Sequence, residues 1–338
     1  MKLTYKKAGV NEKKEEKLVE FIRKKAKKTF TENVIGDIGF FGGFFKIPQN
    51  YKNPVFVSST DGVGTKILLG QEMKLFKNLG IDLVAMNCND VSVCGAKVLF
   101  FLDYIAVGEI KGEREKEIIE GIVEGCKMAG CSLIGGEIAQ MKELYGKDGF
   151  DIAGFCVGVV EKEEIIDGSK VEVGNIIIGV ASNGVHSNGF SLIRKIFKKN
   201  EYEKYYKEIG KTLGEELLKP TYIYSNLLDE LFLNKLINAA SHITGGGIEG
   251  NLIRVIPNGK KCVLLKKSWE IPLIFDIIKK RGNISEKEMF KVFNMGIGLI
   301  LIIPKEKVEK TMEIIKKNNF NSWIIGEVES GKREVIIV

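Results

Sequence analysis

The chain has 338 residues, 44% of them hydrophobic and 28% charged, a balance that supports folded cores and excludes wholesale disorder. At roughly 100–200 residues per domain, the length predicts two domains. Its 51 Lys and Arg outnumber 44 Asp and Glu to leave a charge of +7, but few of those cations are arginine and they are scattered, so the excess describes a solvated lysine-rich surface and excludes a nucleic-acid groove.

In chain order, Asn11 is placed to cap a helix whose apolar face is Leu18, Val19, Phe21, Ile22 and Ala26 and which ends near Lys28. A strand at 55–59, a helix at 75–86, a strand at 98–107, a helix at 113–129 stopped by Gly130, and a strand at 131–134 follow. An apolar run at 153–160 leads to a polar turn at 165–169, where the boundary is placed, dividing domain 1–166 from domain 167–338. The second half reads as strands at 176–181, 262–265, 297–303, 323–328 and 335–338 with helices at 190–198, 221–232, 272–280 and 305–317. The fold class is therefore α/β, of the α+β type with mixed sheets.

No apolar run approaches the ~20 residues needed to cross a bilayer, and 296–304, the longest candidate, reads as a buried strand. The N-terminus lacks the apolar core of a signal peptide, so a cytoplasmic protein with no membrane partner is expected. The six cysteines, at 88, 94, 126, 131, 156 and 262, form no C-x-x-C pair and have no histidine beside them, so they read as buried thiols.

The 38 glycines concentrate at 36–43, 61–65, 135–136, 182–189 and 244–247. Such clusters let backbone N–H groups approach phosphate oxygens, so a phosphate-rich ligand is inferred. Asp61 ends an apolar strand and is followed by Gly62, Gly64, Thr65 and Lys66. That carboxylate can hold magnesium while Lys66 meets phosphate oxygens, although the P-loop pattern is absent. Asp90 and Glu137 also stand at element ends, and the three acids can converge on one or two metal ions. The two histidines, His186 and His242, both lie in glycine-rich polar segments. The literal G-x-G-x-x-G at 245–250 follows AASHIT, a poor buried strand, and is set aside as a chance match.

Taken together and in order, the segments TYKKAGV (4–10), GFFGGFF (39–45), TDGVGTK (60–66), GIDLVAMNCND (80–90), LFFLDY (99–104), EGCKMAGCSLIGGE (124–137), AGFCVGVVEKEEIIDGSK (153–170), SNGVHSNGFSLIRKI (182–196), KPTYIY (219–224), HITGGG (242–247) and FNMGIG (293–298) resemble the aminoimidazole ribonucleotide synthetase family over nearly the whole chain. The resemblance implies a homodimer in which N-terminal domains pair their sheets into a barrel, a C-terminal α/β domain packed against each, and a cleft between that takes ATP and magnesium. It also implies the reaction: ATP activates the formyl oxygen of formylglycinamidine ribonucleotide, and a nitrogen then closes the imidazole ring. Carried over, Asp61, Asp90 and Glu137 become metal and nucleotide ligands. Gly39, Gly42, Gly43, Gly62, Gly64 and Thr65 line the ATP side, and Lys66 faces the phosphates. His186, His242 and Lys66 become catalytic candidates, with Ser187, Asn188, Gly189, Thr244, Gly245, Gly246 and Gly247 on the substrate side.

Three departures from the family pattern bear on loop geometry: Ile138, Gln140 and Lys142 replace a hydroxyl, a carboxylate and a proline, residues 248–251 differ, and Val98 stands for a proline. Related ATP enzymes of the superfamily, a silent nucleotide-binding subunit and an oxidoreductase built on 245–250 are the competing readings. The first cysteine at position 88 and the ending Val335-Ile336-Ile337-Val338 argue against relatives that need a terminal cysteine.

Overall fold

Two mixed sheets, one in each half of the chain, carry the architecture. The computed structural model describes residues 12–338, so the TYKKAGV segment and the Asn11 cap lie outside the described residues. The first half runs α1 (Glu12–Ala26), β1 (Val34–Ile35), β2 (Phe44–Phe45), β3 (Pro54–Gly62), α2 (Lys66–Met73), α3 (Lys77–Ser92), β4 (Lys97–Val107), α4 (Glu113–Ala129), β5 (Ser132–Gln140), α5 (Lys142–Tyr145) and β6 (Phe150–Glu161). Its four-stranded sheet has the order β3-β6-β4-β5, with only β4 and β5 parallel.

Side chains alternate across this sheet. One face packs on α3 and α4, which approach closely because two glycines meet: a Cβ on Gly121 would lie 1.9 Å from the Lys77 carbonyl oxygen and 3.0 Å from the Gly80 Cα. The opposite face leaves Phe56, Tyr104 and Phe155 exposed.

The second half runs β7 (Ile176–Ala181), α6 (Phe190–Ile196), β8 (Tyr205–Tyr206), β9 (Lys211–Thr212), α7 (Leu213–Leu217), α8 (Ser225–Leu233), β10 (Ala239–His242), α9 (Gly247–Leu252), β11 (Lys260–Leu264), α10 (Leu273–Gly282), α11 (Glu286–Val292), β12 (Ile297–Ile303), α12 (Val308–Lys317), β13 (Ser322–Ser330) and β14 (Glu334–Ile337). The sheet order is β10-β12-β7-β13-β11-β14, with β11 and β14 parallel. Every residue of β12 is buried, as its unbroken apolar run requires of a strand covered on both faces. One core cluster joins residues of both halves, and a second lies between the β10–β12–β7 edge and helices α8 and α12.

Several elements differ from the sequence reading for local reasons. The helix expected over 221–232 starts only at Ser225, because the preceding residues are drawn out as a strap against α3. The strand expected at 131–134 continues to Gln140, taken along by its parallel pairing with β4. Residues 239–242, read as a poor strand, form the buried edge strand β10, which runs antiparallel to β12. A glycine turn and α9 do follow it, but three strands separate β10 from the next strand, β11, so the unit of neighbouring parallel strands that a dinucleotide fingerprint needs is missing. The cysteines are all free, and only Cys94 is not fully buried. Among the described residues no helix is long and apolar enough to cross a membrane.

Candidate active site

The polar residues of α3 face the second half of the chain. Asn78 donates to the Leu218 carbonyl at 2.9 Å, and Ser92 donates to Ser225 at 2.9 Å. Asn89 accepts from the Tyr224 N–H at 2.8 Å and donates to the Tyr222 carbonyl at 2.8 Å. These bonds tie the irregular strap at 219–224 and its flanks to the helix and fix where the two halves meet.

At one end of this seam stand Asp61, Asp90 and His242. Asp61 closes β3 and accepts the Gly62 N–H at 2.8 Å, while Asp90 ends the exposed side of α3. His242, at the end of β10, places Nδ1 2.8 Å from Asp90 Oδ1. Because Asn89 already uses its oxygen toward Tyr224, its amide nitrogen is the group 3.3 Å from His242 Nε2. Nε2 therefore accepts and Nδ1–H donates to Asp90. Burial raises the Asp61 carboxyl above the ordinary carboxylate range and the neighbouring Asp90 charge adds to it, while the Gly62 N–H and His242 oppose. Two carboxylates that repel one another suit a divalent cation that also takes phosphate and water oxygens.

His186 is held differently. Its Nε2 accepts the Asn183 backbone N–H at 2.9 Å, so the proton of a neutral ring sits on Nδ1, a buried atom with no partner in the chain. Burial, reinforced by the nearby His242 and Lys66, keeps this imidazole well below its ordinary pKa and neutral. His186 and Ser187 are both buried. Across from them, a Cβ on Gly245 would lie 3.4 Å from Asn188 Oδ1, so the 186–189 and 244–247 turns face each other. Asn251 holds the second turn by donating to the Gly247 carbonyl at 2.8 Å. Thr244 joins that network, its hydroxyl lying 3.3 Å from Asn251 Oδ1. Gly189, Gly246 and Gly247 all adopt positive φ.

Lys66 departs from expectation. Its side chain is fully buried, with Nζ 2.7 Å from Asp82 Oδ2 and bonded to the His186 and Lys219 carbonyls at 2.9 and 2.7 Å. Burial lowers its pKa and Asp82 opposes that shift. The ammonium is enclosed by two carbonyls and the Asp82 carboxylate, so Lys66 does not face phosphate. Thr65 bonds Ser191 at 3.0 Å, and Gly64, just before it, turns the chain with φ +61.

A second site lies at the β5 edge, where a cavity of about 440 Å³ is lined by Gly39, Gly42, Gly43, Asp103, Gly136 and Glu137 among others. Glu137 pairs with Tyr104 and Asp61 pairs with Gly154, while Gly154 and Gly136 both pair with Asp103. Asp61 and Asp103 therefore share one face and Glu137 the other, three strand spacings or about 14 Å from Asp61. The expected convergence of Asp61, Asp90 and Glu137 does not occur within this chain; among the described residues no group of three or more His, Cys, Asp or Glu is set to hold a metal.

Asp103, which sequence reasoning missed, reaches this cavity past Gly136, where a Cβ would sit 2.4 Å from its Oδ1. Burial pushes its carboxyl up to about 7. The only signal was a single acid inside the apolar run LFFLDY. The departures at 138–142 are absorbed locally: Ile138 is buried in the core, Gln140 donates to Glu15 at 2.8 Å, and Lys142 pairs with Glu109 at 2.7 Å.

This geometry can be set beside known proteins. The family models of AIR synthase related proteins match at 44–160 for the N-terminal domain and 172–338 for the C-terminal domain. The phosphoribosylformylglycinamidine cyclo-ligase of Caldanaerobacter subterraneus subsp. tengcongensis is 49% identical over 338 residues, covering 99% of this chain and 100% of that protein. The same enzyme of Coxiella burnetii is 47% identical over 332 residues, covering 98% and 94%. Among solved structures, thiamine-monophosphate kinase from Stenotrophomonas maltophilia matches with a TM-score of 0.70 at 14% identity, over 95% of both chains. A hydrogenase maturation protein HypE in complex with ATP matches at 0.67 and 14% identity, over 96% of this chain and 90% of that one. At such identity the structural likeness shows the fold alone. The chain belongs to the phosphoribosylformylglycinamidine cyclo-ligase family of AIR-synthase-related proteins.

Proposed function

We propose that this chain cyclises formylglycinamidine ribonucleotide to aminoimidazole ribonucleotide, with ATP converted to ADP and phosphate, in purine biosynthesis. The observation that carries the reading is the Asp61–Asp90–His242 constellation, in which acids of the first half meet a histidine of the second across from the Ser187–Asn188 and Gly245–Gly247 turns. An amide oxygen is a poor leaving group, and phosphoryl transfer from ATP makes it a good one. The amidine nitrogen then attacks that carbon, the C–O bond breaks, and phosphate departs with the former formyl oxygen. Little of this demands covalent help from the protein, which supplies position and charge neutralisation.

Asp61 and Asp90 are the residues to hold magnesium, which when bound neutralises phosphate charge. His242 donates to one oxygen of Asp90 and so aims the other. His186 offers a fixed Nδ1–H donor, and its basic nitrogen is already taken by Asn183; proton abstraction at that atom would first have to break this bond. Glu137, Asp103 and the Gly39–Gly43 strip belong to the nucleotide side. Ser187, Asn188, Gly189, Thr244 and the Gly245–Gly247 backbone belong to the phosphoribosyl side. An ATP-bound relative of the same fold supports the nucleotide assignment.

The division at 166/167 separates a nucleotide and dimerisation half from a substrate half. A cytoplasmic homodimer is proposed, closed through the exposed Phe56, Tyr104 and Phe155 face, because an unpartnered apolar sheet face is a docking surface. The test is incubation with formylglycinamidine ribonucleotide, ATP and magnesium, omitting each in turn. Coupled, stoichiometric formation of aminoimidazole ribonucleotide and ADP is expected; ATP binding without ring closure would overturn the proposal.

A further inference from the structure

Lys66 and Asp82 lie in the interior of the α2–α3 layer as an ion pair, Nζ 2.7 Å from Oδ2, although that oxygen has no hydrogen-bond partner. Lys66 donates hydrogen bonds to the His186 and Lys219 carbonyls, both in the second half of the chain. From Asp82, the other oxygen accepts both the Thr221 N–H and the Thr221 hydroxyl at 2.7 Å. Since the Thr221 proton is spent on Asp82, the 3.1 Å contact between Ser187 Oγ and Thr221 Oγ1 has Ser187 as its donor. The bonds close a circuit: Ser187 to Thr221, Thr221 to Asp82, Asp82 to Lys66, and Lys66 back to the carbonyl of His186. Two consecutive residues of the cleft are thus gripped by the two ends of one ion pair.

The backbone at His186 shows what this grip does. Its φ is +62, a left-handed conformation uncommon for a residue with a β-carbon. It is anchored on both sides, by Lys66 at the carbonyl and by the Asn183 N–H at the ring. The pair's partners also explain why charge is used here. A buried ion pair is a poor source of cohesion, because desolvation offsets the attraction and an apolar pair often serves as well. A carboxylate with four acceptor positions and an ammonium with three donors can, by contrast, tie four separate backbone and hydroxyl groups to one point.

We infer that Lys66 and Asp82 are positioning residues for the cyclo-ligase reaction, holding the His186 imidazole and the Ser187 hydroxyl oriented toward the substrate side of the cleft. The inference rests on the proposed function, so wild-type turnover is the control: its absence would count against that reading and not against this one.

The full chain is assayed with formylglycinamidine ribonucleotide and ATP as Lys66→Met, Asp82→Asn, the Lys66→Met/Asp82→Asn double variant, Thr221→Val and Thr221→Ser, with Tm recorded for each. The double variant, free of an unpaired buried charge, is expected to melt above either single variant while its kcat/KM for the ribonucleotide stays at least about tenfold below wild type, as in the singles. Its KM for ATP is expected to stay within about twofold of wild type, because ATP lies on the other side of the cleft. Thr221→Val, which cuts the circuit without touching either charge, is expected to lose activity with little change in Tm, and Thr221→Ser to recover most of that loss. Activity that rises with Tm in the double variant would overturn the inference, making the pair purely cohesive. Should the charge variants fail to fold, wild-type kinetics in Thr221→Val would overturn it independently.

Discussion

The α3 seam and the β5 edge both bring acids toward the ligand, and they treat charge in opposite ways. Along the seam charge is answered inside the chain: the buried Asp82 by Lys66 and Thr221, and the part-exposed Asp90 by His242. At the edge, Asp103 and Glu137 face a cavity whose other walls are largely glycine and apolar side chains, and Phe40, Phe41 and Phe44 of the adjoining strip stand in solvent. The Lys66–Asp82–Thr221 stretch of the seam is therefore assembled before any ligand arrives. The edge presents acids and glycine backbone that a cation-bearing nucleotide would complete. Preorganisation belongs to the substrate side and adaptability to the nucleotide side.

Six substitutions break or sharpen this contrast. The largest effect is expected on the reaction itself: Asp61→Asn and Glu137→Gln each lower kcat by about a thousandfold or more, equivalent to ~4 kcal/mol in the barrier, while Tm stays near wild type. Wild-type rates in either variant, at saturating ATP and varied magnesium, would remove these acids from the site. Next, Lys66→Met strands Asp82 in the interior and is expected to cost about 3–5 kcal/mol in urea unfolding.

Asp103→Asn is expected to act in the opposite direction, and only at high pH. An unfolded carboxyl loses its proton near 3.8 and the folded one near 7. Between those values the folded state holds the extra proton, so this group's contribution is favourable at low pH and is lost as pH rises through 7. The variant should accordingly gain about 2–4 kcal/mol over wild type at pH 8 and almost nothing at pH 4. A pH-independent difference would show that Asp103 does not titrate in this way.

Gly136→Ala pushes a methyl group against the Asp103 carboxylate and should cost about 1–3 kcal/mol by overpacking, measured by thermal melting. Phe41, fully exposed, is the smallest case: Phe41→Ser should change stability by less than about 0.5 kcal/mol. Any effect it has is expected in the KM for ATP, and a large drop in Tm would place the ring in a packed interface instead.

The seam and the edge also differ in how far the sequence revealed them. Asp90 and His242 stand out as polar residues in glycine-rich or element-end settings, and the structure brings them together across 152 positions. Strands such as 297–303 and 176–181 were legible because an unbroken β-branched run has few other uses. Asp82 and Asp103 were hidden for the same reason, each a single acid inside an apolar run whose periodicity speaks only of burial. Lys66 was misread because its neighbours Asp61, Gly62 and Gly64 suggest a phosphate turn, and nothing local announces a partner on the next helix or a carbonyl 120 residues away. Residues 221–224 of the strap looked helical because their tethers to Asp82 and Asn89 are long-range. Glu137 was read as standing just past a strand but lies inside β5, and strand order and the alternation of faces, which no single segment encodes, set it apart from Asp61.

The most direct measurement is a single turnover with formylglycinamidine ribonucleotide carrying ¹⁸O in its formyl group, followed by mass analysis of the released phosphate. If ATP activates that oxygen for ring closure, one labelled atom appears in each inorganic phosphate formed with aminoimidazole ribonucleotide. Unlabelled phosphate, with the ¹⁸O recovered in water, would contradict phosphoryl transfer to the formyl oxygen and with it the account of this cleft.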